Sequence, residues 1–418
     1  AHVGGCSMMP PHSATARGRL SRQDLVRKSC EAAPSNIPEG MRVTKPTLRL
    51  LQLCATALAN LAALGYLALA PRVSLAAAPA QPFARIGTLQ VPGAPLESFD
   101  IGFVNAAGVY ALADRSNGGL DFFESATGRF LGRATGFVGY SATGGSDASG
   151  PNGVVAVGGN EFWAGDGDST VKAVDLRTKK IIASISTGGK KRADELAYDP
   201  RDHLVIAVNN ADDPPYVSFI STRTRKVVGR LELERASDGA EQPVWNPRTG
   251  LVYISIPSLD DVKAHGAVAV VDPHTYKLVK LMPVERCMPA GLALGPHDDL
   301  LLGCSDDAVA AGFPARSFVM SAATGKIVAS LPRVGGSDEV WSDLKAGRYY
   351  LAAAANTGGP VLGVVDSRTN RWIGNWPTGP HAHSVAADPV TGKVFVPIAA
   401  GSAADCARGC VAVFGSRQ

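Results

Sequence analysis

The chain has 418 residues, 45% of them apolar and 19% charged, with 46 glycines and 28 prolines. That composition excludes a disordered or collagen-like chain and allows a substantial core, in two or three average domains or in one large all-β domain. Residues 1–80 carry 9 Lys/Arg against 3 Asp/Glu, so the overall +4 leaves 32 against 34 for the remainder, a net of −2; that balance gives no electrostatic case for a nucleic-acid partner.

Residues 1–40 show no apolar periodicity and read as an extension without a function of its own. From Met41 onward, Arg42, Lys45 and Arg49 precede an apolar run from about Leu50 to Ala70, followed by small residues up to Ala80. Basic residues, an apolar core and small residues in that order make an export signal. The apolar core is longer than most, so residues 41–80 are either a cleaved signal peptide or an uncleaved anchor, and a membrane contact is expected only in the second case. Export implies a periplasmic or secreted protein.

The next segment, Phe83 to Gly93, is a strand without a neighbour of its own. Behind it a unit recurs: a strand, a polar turn centred on Thr, and a second strand. It is seen in "VKAVDLRTKKIIASI", "VSFISTRTRKVVGRL", "VAVVDPHTYKLVKLM", "SFVMSAATGKIVASL" and "VLGVVDSRTNRWIGNW", and more loosely in "GLDFFESATGRFLGR". Upstream of most of these lies another pair joined by an Asp-Pro or Gly turn, as in "LAYDPRDHLVIAVNN" and "SVAADPVTGKVFVPI". Four strands per unit of about 46 residues predict a seven-bladed, all-β propeller over 83–418, the alternative being six blades with an accessory hairpin in place of the first or second. The last unit runs out of chain after three strands. The unpaired N-terminal strand supplies the fourth and closes the ring, which removes a free sheet edge.

Cys6, Cys30 and Cys54 precede the propeller and leave Cys287, Cys304, Cys406 and Cys410 within it. In an oxidising compartment these four are expected to form two local, structural disulfides, Cys287 with Cys304 across a hairpin and Cys406 with Cys410 within "DCARGC". Neither pair has the spacing of a zinc site.

Asp-Glu pairs, Asp194–Glu195 and Asp338–Glu339, stand at the start of two predicted innermost strands. Asp100, Asp194, Glu241, Asp338 and His383 follow one another at 94, 47, 97 and 45 residues, multiples of one blade. They are expected to converge at one mouth of the central channel, with the neutral Asn152 and Pro289 at the same level in two other blades. Crowded carboxylates raise one another's pKa unless a cation or water intervenes. A divalent cation, either Ca²⁺ or a transition metal, is one expected occupant, with Asp194, Glu241, Asp338 and His383 as its ligands; a water-filled acidic funnel is the other reading. Asp100, Asn152, Glu195, Glu339 and His381 are the residues expected around a small ligand. Lys190, Lys191 and Arg192 read as a solvated basic loop, and "AGDGDS" as a hairpin turn. No serine-hydrolase, zincin, covalent-haem or nucleotide-binding motif occurs.

The V-x-V-x-D-x-x-T-x-K-x-I strands, the Asp-Pro turns and the export signal resemble the bacterial YncE-like proteins with YVTN-type repeats, within the larger group of seven-bladed propellers that includes quinoprotein amine dehydrogenase heavy chains. The resemblance covers roughly Phe83 to Gln418. It implies an exported propeller and transfers no catalytic residue, because the repeats reflect strand packing. Two functions are expected from the whole: a binding or scaffold protein holding a small molecule or protein partner at the channel mouth or rim loops, or a lactonase-like, metal-dependent hydrolase using the same residues.

Overall fold

Short polar turns cut the chain into strands of nearly constant length. In the recurring Asp-x-x-Thr turns the Asp side chain takes the place of a strand partner: Asp175 Oδ1 accepts the Thr178 N–H at 2.6 Å, and Asp366 Oδ1 accepts the Thr369 N–H at 2.9 Å. The residue after the Thr then adopts a left-handed conformation in all six copies, at Gly128, Lys179, Arg225, Tyr276, Gly325 and Asn370, with φ between 55° and 77°. A local side-chain bond and one left-handed residue reverse the chain within four positions.

The structure, a computed structural model, describes residues 83–401 and 404–416. The expectations for residues 1–80 lie outside the described residues. Twenty-eight strands, β1 to β28 in chain order, form seven four-stranded antiparallel sheets. Their innermost strands are β2 (Gly102–Val104), β6 (Val154–Val157), β10 (Leu196–Asp199), β14 (Pro243–Trp245), β18 (Pro289–Leu294), β22 (Ser337–Asp343) and β26 (Ala386–Ala387). In six sheets the four strands are consecutive. The seventh has the order β1-β28-β27-β26, with β1 (Phe83–Gln90) as its outer strand, paired to β28 (Cys410–Ser416) from Phe83↔Ser416 to Gln90↔Cys410. The protein is thus a seven-bladed β-propeller closed by its two ends, as the repeats predict.

Apolar residues fill the spaces between successive blades. One such layer joins Ile206, Val217 and Phe219 of the third blade to Val252, Ile254 and Ala269 of the fourth. Another joins Tyr110 and Leu112 of the first blade to Phe395 and Val413 of the last, so the closing interface is packed like the others. Both expected disulfides form: Cys287–Cys304 links the two ends of the β18 hairpin, and Cys406–Cys410 pins the segment entering β28. The "AGDGDS" segment is a hairpin turn in which the buried Asp166 is ion-paired with Lys172. Among the described residues no helix is long and apolar enough to cross a membrane.

Candidate functional site

The residues leading into the innermost strands share one backbone register. Asp100, Asn152, Asp194 and Glu241 each donate their N–H to a carbonyl of the neighbouring strand, those of Ala113, Gly165, Val208 and Ser255, at 2.8–2.9 Å. Blades are also joined at this level, by Gly153 N–H to the Asp194 carbonyl at 3.1 Å and Glu339 N–H to the His383 carbonyl at 3.1 Å. These equivalent bonds put Asp194 and His383 at matching positions of the third and seventh blades, and Gly153 and Glu339 at matching positions of the second and sixth. Two glycines allow the close approach. A Cβ on Gly153 would stand 2.4 Å from the Glu195 Cα, and one on Gly165 would stand 2.3 Å from the Ala193 carbonyl.

The lead-in residues converge on the axis. Asp100 is ion-paired to Arg115, whose Nη2 also donates to Asn152 Oδ1 at 2.6 Å, while Asn152 Nδ2 donates to the Ala193 carbonyl at 2.9 Å. The Arg192 guanidinium stands 2.7 Å from the Asp194 carboxylate. Glu241 accepts from Asn210 Nδ2 at 3.4 Å. His383 stacks on Phe99 with ring centroids 5.0 Å apart, its Nε2 is 3.4 Å from Asp100 Oδ1, and its Nδ1 is 2.8 Å from the His381 carbonyl oxygen. His381 itself is exposed and meets this group through its backbone; its side chain lines a hollow of about 630 Å³ on the rim, beside Arg115 and Tyr140.

Electrostatics follow from this crowding. Burial pushes the Asp100 carboxyl up, but Arg115 and His383 outweigh it and hold Asp100 at about 2. Burial pushes His383 down, and its bond to Asp100 together with the charge of Asp338 overcomes that and raises it to about 9. Asp338, half-buried, is raised to about 6 by burial, with His383 opposing. Glu195, Glu241 and Glu339 are pushed well above the usual carboxylate range, by burial first; neighbouring carboxylates add to this, Glu339 on Glu195, Asp194 on Glu241 and Asp100 on Glu339. Six carboxyl groups from four blades therefore face three cationic groups, Arg115, Arg192 and His383.

Sequence reasoning missed both arginines. Arg192 was expected on a solvated loop with Lys190 and Lys191; the lysines are exposed, but the Arg192 side chain is 15% exposed and turns inward to Asp194. Its position two residues before a predicted channel acid was the available signal. Arg115 follows the second strand of its blade, and nothing in its neighbourhood marks it. Together they supply countercharge that only one of the two sequence readings, the cation, had provided. Among the described residues no group of three or more His, Cys, Asp or Glu side chains is arranged to hold a metal ion.

Below the mouth, the innermost strands of the first six blades enclose a cavity of about 420 Å³. Glu195 and Glu339 stand at its upper end; Phe103, Tyr198, Trp245 and Trp341 line it further along. Gln242 braces its wall, accepting the Leu292 N–H at 2.7 Å and donating to the Val340 carbonyl at 3.3 Å.

No family model and no curated protein matches the chain. Among solved structures it is similar to the hydrazine synthase of Kuenenia stuttgartiensis, at 13% identity and a TM-score of 0.59, over 74% of this chain and 94% of that one. It is also similar to a chain of the mitotic checkpoint complex, at 12% identity and a TM-score of 0.62, over 84% of this chain and 97% of that one. Likeness at this level of identity shows the propeller fold, which commonly serves as a scaffold or binding module, and carries no activity across.

Proposed function

We propose that the protein is an exported binding propeller that holds a small cationic ligand at the acidic mouth of its channel, within reach of Asp194, Glu241 and Asp338. One observation carries this reading. Six carboxyl groups converge on the axis against three cationic groups, and the Asp338 side chain makes no hydrogen bond or ion pair. At Asp338 an arriving cation gains a charge-assisted bond without breaking one that the fold uses. Export and kinship to the YncE-like propellers are part of the same proposal; two disulfides are compatible with a periplasmic or secreted protein.

A divalent cation is the second candidate occupant, held by Asp194, Glu241, Asp338 and His383, and it brings with it the alternative of a metal-dependent hydrolase. Calorimetric titration with calcium chloride, manganese chloride and tetramethylammonium chloride separates them. We expect the organic cation to bind the wild type and to bind Asp338→Asn about tenfold more weakly, the loss of one charge-assisted contact. Stoichiometric metal binding with turnover of a lactone or ester supports the hydrolase; no binding of any cation ends both readings.

A further inference from the structure

We infer that the channel below the mouth is a binding site for an amphipathic amine, with the ammonium group between Glu195 and Glu339 and an apolar body against Phe103, Tyr198, Trp245 and Trp341. This names a ligand class for the mouth reading and rests on it in one respect, that the mouth is the way in.

Glu195 is the decisive residue. It is 7% exposed, lines the 420 Å³ cavity and has no hydrogen-bond partner in the protein. A carboxyl group this deeply set, without a protein partner and open to the cavity, depends on what fills that cavity, water or a ligand. Glu339, 1% exposed, is held in place by the Val385 N–H, which donates to Oε2 at 3.1 Å. The two are each other's neighbours across the axis, and Glu339 is the strongest charge acting on Glu195. The remaining wall is aliphatic and aromatic, with Phe103 and Trp341 in edge-to-face contact at 5.2 Å. A bare metal ion leaves most of this volume unfilled and gains nothing from the aromatic rings. An ammonium on a short apolar body uses both, since it pairs with carboxylates and lies favourably against aromatic faces.

Protonation is part of the site. The charged groups facing Glu195 are Asp194 on its own strand, Glu241 on the next blade, and Asp338 and Glu339 across the axis; those facing Glu339 include Asp100 and His383. In the empty channel burial first, and these neighbours after it, push both carboxyl groups well above the usual carboxylate range. An arriving ammonium displaces a proton from Glu195, so affinity rises with pH until the amine itself deprotonates near pH ~10.

The test uses 2-phenylethylamine, with 2-phenylethanol and 3-phenylpropanoate as neutral and anionic controls, read by calorimetry and by the fluorescence of the channel tryptophans. We expect the amine to bind the full-length protein at least tenfold more tightly than either control. Glu195→Gln should weaken it by about tenfold or more and flatten its pH dependence. Ala156→Phe, which fills the cavity without touching a carboxylate, should abolish amine binding and leave the response to tetramethylammonium intact. Amine binding no tighter than that of the alcohol overturns the inference, and so does binding unchanged in both Glu195→Gln and Ala156→Phe. If amine binding is lost in Asp338→Asn but not in these two variants, the channel site fails while the mouth reading stands.

Discussion

At the scale of single residues, the mouth is a problem of charge compensation that the chain solves with two arginines and a histidine. Asp100, Arg115 and His383 show how: each is buried or half-buried, and each is tolerable there because the others are charged. The consequence for stability has a definite sign. His383 has a folded-state pKa of about 9 against an ordinary 6.5. A raised pKa stabilises the fold fully below the unfolded value and loses that contribution as pH climbs through the folded one. The melting temperature should therefore fall between pH 6.5 and 9, and His383→Gln should make that slope shallower by the share His383 contributes. Asp100, held at about 2, stays charged throughout that window, whereas Asp338, raised to about 6, finishes ionising at its lower end, and the raised carboxyl groups of Glu195, Glu241 and Glu339 add a fall of the same sign. A wild-type slope that His383→Gln leaves intact would assign it to other groups.

At the scale of elements, the entries to the innermost strands approach so closely that at a few positions only glycine fits between blades. Gly153 is the clearest case. Its N–H bonds the Asp194 carbonyl of the next blade, and an added Cβ would meet backbone at 2.4 Å and 2.5 Å. Overpacking against backbone cannot relax by rotamer change, so Gly153→Ala should cost about 3 kcal/mol, measured by denaturant unfolding. The same substitution presses on Glu195 and should weaken ligand binding as well; an unchanged unfolding midpoint would argue against the close approach. The outer strands meet a different need. Each of β9 (Lys180–Ser186), β13 (Lys226–Glu232), β17 (Lys277–Glu285) and β25 (Arg371–Pro377) begins with a basic residue, while Val228, Val279 and Ile373 on them are exposed. A charge at the start of an exposed edge discourages pairing with another sheet.

At the scale of the whole molecule, the ring was legible in the sequence because a repeat is written in local chemistry. Thr-centred turns and apolar alternation mark strands three and four in six blades, and the blade length of about 46 residues adds a seventh, whose missing strand Phe83–Gln90 supplies. The level of the channel acids was legible for the same reason, since a fixed blade length fixes a height. What lay beyond the sequence was direction and depth: that Arg192 folds inward while Lys191 does not, that Arg115 reaches Asn152 of the next blade, and that Glu195 is left without a partner. These are contacts between blades, and no local pattern encodes them. Closure itself gives the last prediction. Deleting residues 83–90 leaves β28 as a bare edge, so the truncated protein should melt at lower temperature and self-associate in sedimentation, whereas a monomer of unchanged melting temperature would deny β1 its role.

The pairing of β1 with β28 also orders events in time. Of the described strands β1 is synthesised before all others and β28 after them, so the strands of six sheets are available before those of the seventh. The first eight-residue strand waits, unmatched, for the whole length of the propeller. Its partner β28 is the last of these strands to be made, so the sheet that follows His383 and closes the ring can gain its outer strand only once all the others exist.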